Sequence, residues 1–158
     1  SPMLGLKRFI CTSVNILTGD IPEYALGEAK YQEDTTSFKK NHLTGSKIRY
    51  NRMIDAFEQA PKAKLGGASY TWVNESCKQF EYMFNNINKI QTPFILFSAE
   101  NDGIIEINAH QEFLKKAKSL NKNCEAYSIK NAKHELLIEK DSYRISTINK
   151  TLHFLDKF

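Results

Sequence analysis

Residues 92–103 read TPFILFSAENDG. Five apolar or near-apolar positions run unbroken from Phe94 to Ser98, behind a proline and ahead of an acidic turn. A continuous run of this length fits a strand buried on both faces, as in a parallel sheet. Pro93 suits the entry to such a strand, where its missing N–H costs no ladder bond. Asn101, Asp102 and Gly103 end it with turn chemistry. Downstream, IEINAHQEFLKKAKSL carries Ile107, His110, Leu114 and Ala117 at three- and four-residue steps, which predicts a helix with one inward face. CEAYSI, residues 124–129, reads as a second strand. DSYRISTINKTLHFLDKF then places Ile145, Ile148, Leu152 and Leu155 on a helical stripe, with Asp141 or Ser142 as its cap. The order strand, helix, strand, loop, helix predicts an α/β fold of the doubly wound kind.

Residues 20–91 differ in character: polar, helix-like, and punctuated by Pro61 and the pair Gly66–Gly67. SKIRYNRMIDAFEQA predicts one helix, and Val73, Cys77, Phe80, Phe84 and Ile87 form the stripe of another. Three segments are expected: 1–19, an N-terminal strand around Met3 or Ile10 with the entry to a cap; 20–91, a helical cap insertion; and 92–158, an α/β core portion. A helical block of this length exceeds what a crossover needs, and such blocks commonly cover a site. The chain opens on SPML, without an initiating methionine, and is expected to be part of a longer protein.

The 158 residues can bury a core of their own, and 41% hydrophobic with 25% charged residues is a globular composition, not a disordered one. A net charge of +4 is mildly basic. It calls for no nucleic-acid face, and it tolerates an anionic lipid surface. No apolar run reaches membrane-spanning length, so membrane contact is expected to be peripheral. The odd set Cys11, Cys77 and Cys124 lacks metal or redox spacing and suits a reducing compartment. His42, His110 and His153 show no ligand spacing either. Neither metal nor cofactor is expected.

Asp102 sits just past the end of the first strand, the sheet edge where catalytic groups collect in α/β folds. A carboxylate there can orient a histidine and stabilise its imidazolium. It can equally serve only its own Asn-Asp-Gly turn. His134, in NAKHELL, follows the end of the second strand and has the chemistry of a general base. Alone it reads as well as a histidine at the start of a helix. The order of acid and base on successive strand ends is that of a hydrolase triad after its nucleophile. No G-x-S-x-G occurs in the chain, and GGAS at 66–69 does not follow a strand.

These segments carry a family resemblance. TPFILFSAENDGII followed by AKHELLIEKDSYR is similar to the C-terminal part of the monoglyceride-lipase-like, serine-aminopeptidase-type α/β-hydrolases, and within them to bacterial lysophospholipases. LTGSKIRYNR and LGGASYTWVNES resemble the cap of those enzymes, and SPML resembles the strand after the nucleophile elbow. The resemblance spans nearly the whole chain, and its specificity lies in the motifs occurring together in order. It implies the C-terminal part of an α/β-hydrolase fold with a helical cap. Asp102 and His134 would be the catalytic acid and base, with the serine and oxyanion donors on a preceding N-terminal segment. Tyr70 and Trp72 would line the acyl-chain pocket; helix-on-sheet packing is the other reading of Trp72. The implied activity is hydrolysis of a lysophospholipid or another monoacyl ester, in the cytoplasm or peripherally on the inner membrane. This chain alone would be inactive. A non-enzymatic α/β binding domain and an esterase or monoglyceride lipase of the same fold are the alternatives.

Overall fold

The computed structural model describes residues 23–32 and 37–158. The strand expected around Met3 or Ile10, and Cys11, lie outside the described residues. The chain divides into two compact units, Ser1–Thr35 with Ala60–Asn86 and Thr36–Gln59 with Ile87–Phe158.

The second unit holds the sheet. β1 (Phe94–Ala99) and β2 (Cys124–Ile129) pair in parallel, in register from Phe94 opposite Cys124 to Ala99 opposite Ile129. None of the six residues of β1 is exposed, in keeping with its unbroken apolar run. In β2, Ala126 and Ser128 are exposed. Phe97 and Tyr127 stack across the pair with ring centroids 5.8 Å apart. α1 (Lys47–Gln59) forms where SKIRYNRMIDAFEQA predicts a helix. α3 (Ile107–Ser119) bridges the strands and turns Ala117 fully inward, while His110 on the same face bonds Ser98 of β1 through Nδ1 at 2.8 Å. The core under the strand ends is Ala99, Ile129 and Ala132, flanked by Phe97, Tyr127, Leu136 and Tyr143. The described residues thus form a mixed α/β fold, a small parallel sheet with helical insertions.

α4 (Asp141–Leu155) departs from the sequence expectation in two respects. Its cap position is Lys140, with no side-chain cap, and Asp141 is the first helical residue. Asp141 is instead paired with Arg49, whose Nη1 also donates to the carbonyl of Glu139 at 2.8 Å. The inward residues are Thr147 and Phe154, whereas Ile145, Leu152 and Leu155 of the predicted stripe are 50%, 54% and 59% exposed. Thr147 can face inward because its hydroxyl donates to the Tyr143 carbonyl one turn earlier, at 3.0 Å, so no buried donor is left unmade.

In the first unit, α2 (Tyr70–Asn85) starts at Ser69, whose Oγ accepts the Trp72 N–H at 3.1 Å. An extended segment meets its start. Tyr24 and Ser69 form an antiparallel bridge, and the Tyr70 N–H donates to the Glu23 carbonyl at 3.0 Å. Gly67 eases the packing there, since an added Cβ would come within 2.8 Å of the Glu28 Cβ. The stripe expected on this helix holds in part: Val73, Cys77 and Phe84 are half-buried, Phe80 is exposed, and Asn74 is buried. Ile87 is fully buried but lies beyond the helix, in the single 3₁₀ turn Ile87–Lys89 of the other unit.

Candidate active site

The parallel register brings two loops to one edge of the sheet. After Ala99 and Ile129 the ladder continues into these loops, Glu100 N–H to the Ile129 carbonyl at 3.1 Å and Asn101 N–H to the Ala132 carbonyl at 2.9 Å. Asn131 takes the left-handed conformation, φ 59°, to make the turn, a region asparagine visits more readily than most residues. The extra bonds set the origin of each loop. Asp102 and His134 then meet: His134 Nδ1 lies 2.8 Å from Asp102 Oδ2.

Asp102 is 7% exposed at its side chain and His134 26%. The other carboxylate oxygen, Oδ1, accepts the N–H groups of Ile104 at 2.8 Å and Ile105 at 2.9 Å. Burial pushes the Asp102 carboxyl up, but the Ile105 N–H, the His134 ring, the Ile104 N–H and the His134 charge together hold it below the ordinary 3.8. An ionised Asp102 fixes the proton of a neutral His134 on Nδ1, which leaves Nε2 as the basic lone pair. The nearest acid to Nε2 is Glu135 Oε1 at 4.0 Å, too long for a hydrogen bond. This is the arrangement of an oriented general base.

Sequence reading missed the segment that backs the histidine. Residues 41–46 run beside 132–140. The His134 N–H donates to the His42 carbonyl at 3.4 Å, and the Glu135 N–H donates to the Leu43 carbonyl at 2.8 Å. Lys133 Nζ donates to the Asn41 carbonyl at 2.7 Å, and Thr44 Oγ1 to the Ile138 carbonyl at 2.8 Å. Thr44 and Glu139 are both fully buried. The His42 ring packs against Gly103, where a Cβ would lie 2.6 Å from its Nδ1. NHLTGS gives the composition of this strip, but its neighbours lie about ninety residues downstream, beyond any local signal.

Tyr70 and Trp72 stand at the start of α2 in the first unit, Tyr70 half-buried and Trp72 64% exposed. Among the described residues no group of three or more His, Cys, Asp or Glu gathers as metal ligands.

Residues 1–141 match the profile of the serine aminopeptidase S33 family. A probable lysophospholipase L2 of Haemophilus influenzae is 32% identical over 149 residues, 94% of this chain and 45% of that protein. The lysophospholipase L2 of Escherichia coli is 28% identical over 137 residues, 85% of this chain and 40% of that protein. The chain thus spans less than half the length of the curated relatives it matches. In structure it is similar to a soluble variant of the monoglyceride lipase of Saccharomyces cerevisiae in complex with a substrate analog. The TM-score is 0.61 at 16% identity, covering 99% of this chain and 49% of that one.

Proposed function

Because this chain belongs to the serine aminopeptidase S33 family of hydrolases, we propose that it supplies the acid and base of a carboxylic-ester hydrolase whose serine lies on a further segment. The proposed substrate is a lysophospholipid. The 2.8 Å contact of Asp102 with His134 at the sheet edge is the observation that carries the reading. His134 Nε2 takes the serine proton as the serine oxygen adds to the ester carbonyl, and Asp102 stabilises the imidazolium. The imidazolium then protonates the departing glycerol oxygen, leaving an acyl-serine. Water, deprotonated by the same nitrogen, releases the fatty acid and restores the serine. We assign residues 20–91 to a helical cap insertion, with Tyr70 and Trp72 as the acyl-chain-binding residues. Trp72, Phe80 and Met83 are exposed on α2 and would suit peripheral contact with a lipid surface. A cytoplasmic, inner-membrane-peripheral location belongs to the same proposal.

The test is fatty-acid release from lysophosphatidylcholine. The 158-residue chain alone is expected to release none above background, lacking nucleophile and oxyanion donors. Joined to a segment bearing the G-x-S-x-G serine, it should turn over, and His134→Ala should lower kcat by about 10³ or more. A His134→Ala protein at wild-type rate overturns the assignment of the base. Cleavage of other acyl esters but not of lysophosphatidylcholine retains the hydrolase and rejects the substrate.

A further inference from the structure

Glu139 follows His134 by five residues and has no solvent exposure. A carboxylate in that situation is costly unless its lone pairs are taken. Here Oε1 accepts the N–H of Gly45 at 2.8 Å and of Lys133 at 3.0 Å, while Oε2 accepts the N–H of Lys140 at 2.6 Å. Lys133 immediately precedes His134, and Gly45 belongs to the backing strip. One carboxylate thus joins the base-bearing loop, the strip behind it and the cap position of α4. The carboxylate approaches Gly45 closely: a Cβ added there would lie 3.2 Å from both of its oxygens. Asp102 takes no part in this second network.

We propose that Glu139 is a positioning residue for His134: its buried carboxylate locks the 132–140 loop to the 41–46 strip, so that the imidazole is held at Asp102. The proposal rests on the reading of Asp102 and His134 as orienter and base. Two polar anchors then fix the histidine, one on its ring and one on the backbone before it. Preorganisation of this kind spares the loop from ordering anew when a proton must move.

Proton NMR of the 158-residue chain tests it, with wild type compared to Glu139→Gln and Asp102→Asn. The wild type should show a downfield His134 Nδ1–H resonance that Asp102→Asn removes. In Glu139→Gln, the Ile129 and Ala132 methyl signals should stay dispersed. The His134 proton should exchange at least about tenfold faster, as expected when one charge-assisted bond is lost. A general loss of stability would not single out that proton. An unchanged exchange rate in a folded Glu139→Gln overturns the positioning role and leaves the Asp102–His134 pair standing. Absence of the resonance in wild type overturns the pair, and the positioning role with it. Should Glu139→Gln not fold, amide exchange on the wild type decides. Gly45, Lys133 and Lys140 must then be protected like the β1–β2 ladder, and exchange at open-loop rates overturns the proposal.

Discussion

Asp102 divides its oxygens between two tasks: Oδ1 holds the N–H groups of Ile104 and Ile105, and Oδ2 holds the His134 ring. The bonds of a turn and the contact with the histidine are therefore both made, by different atoms. The same bonds give the residue a pH signature. Burial raises its carboxyl, and the two backbone N–H groups with His134 more than offset that, so its folded value lies below 3.8. A carboxyl depressed on folding adds stability above its unfolded value, and that stability is lost as pH falls through the folded value. Urea unfolding should accordingly show wild-type stability declining as pH drops below about 4, with a shallower acid limb in Asp102→Asn. Parallel acid limbs would mean that Asp102 contributes nothing to the pH dependence. Asp102 and His134 were legible because each follows a readable strand. Glu139 was not. Its carboxylate is satisfied by the Gly45 N–H from about ninety residues upstream, and a glutamate in HELLIEKD carries no local mark of that.

Among the elements, those with strong periodicity followed the physics of their pattern. β1 has no exposed residue, though only Ala99 is fully buried, and α3 turns in the residues its spacing marks. α4 shows how a stripe can mislead. Of its apolar series, Ile145, Leu152 and Leu155 are at least half exposed and only Ile148 is half-buried, while the packed face is built on Thr147 and Phe154. A threonine that bonds back to its own helix behaves as an apolar group, which no hydropathy pattern registers. The stability consequence is specific. Phe154 is 5% exposed and meets the Phe158 ring edge-on at 5.3 Å, so Phe154→Ala should cost about 3 kcal/mol. Leu152→Ala should change stability by no more than about 0.5 kcal/mol. Equal costs in thermal or urea unfolding would restore the sequence-predicted face.

For the whole molecule, sequence motifs in order reached the family, and the geometry of one sheet edge supplied the chemistry to be tested. The two compact units divide the candidate residues: Asp102, His134 and Glu139 in one, Tyr70 and Trp72 in the other. Trp72 is the chain's single tryptophan and is 64% exposed. An indole already in water emits at long wavelength whether the chain is folded or not. Urea unfolding should therefore barely move the emission maximum while the far-ultraviolet circular dichroism collapses. Lysophosphatidylcholine micelles that engulf α2 should instead shift the emission to the blue, and no shift would argue against contact between that helix and lipid. The indole is an optical gauge of what the helix touches, with almost no background from folding.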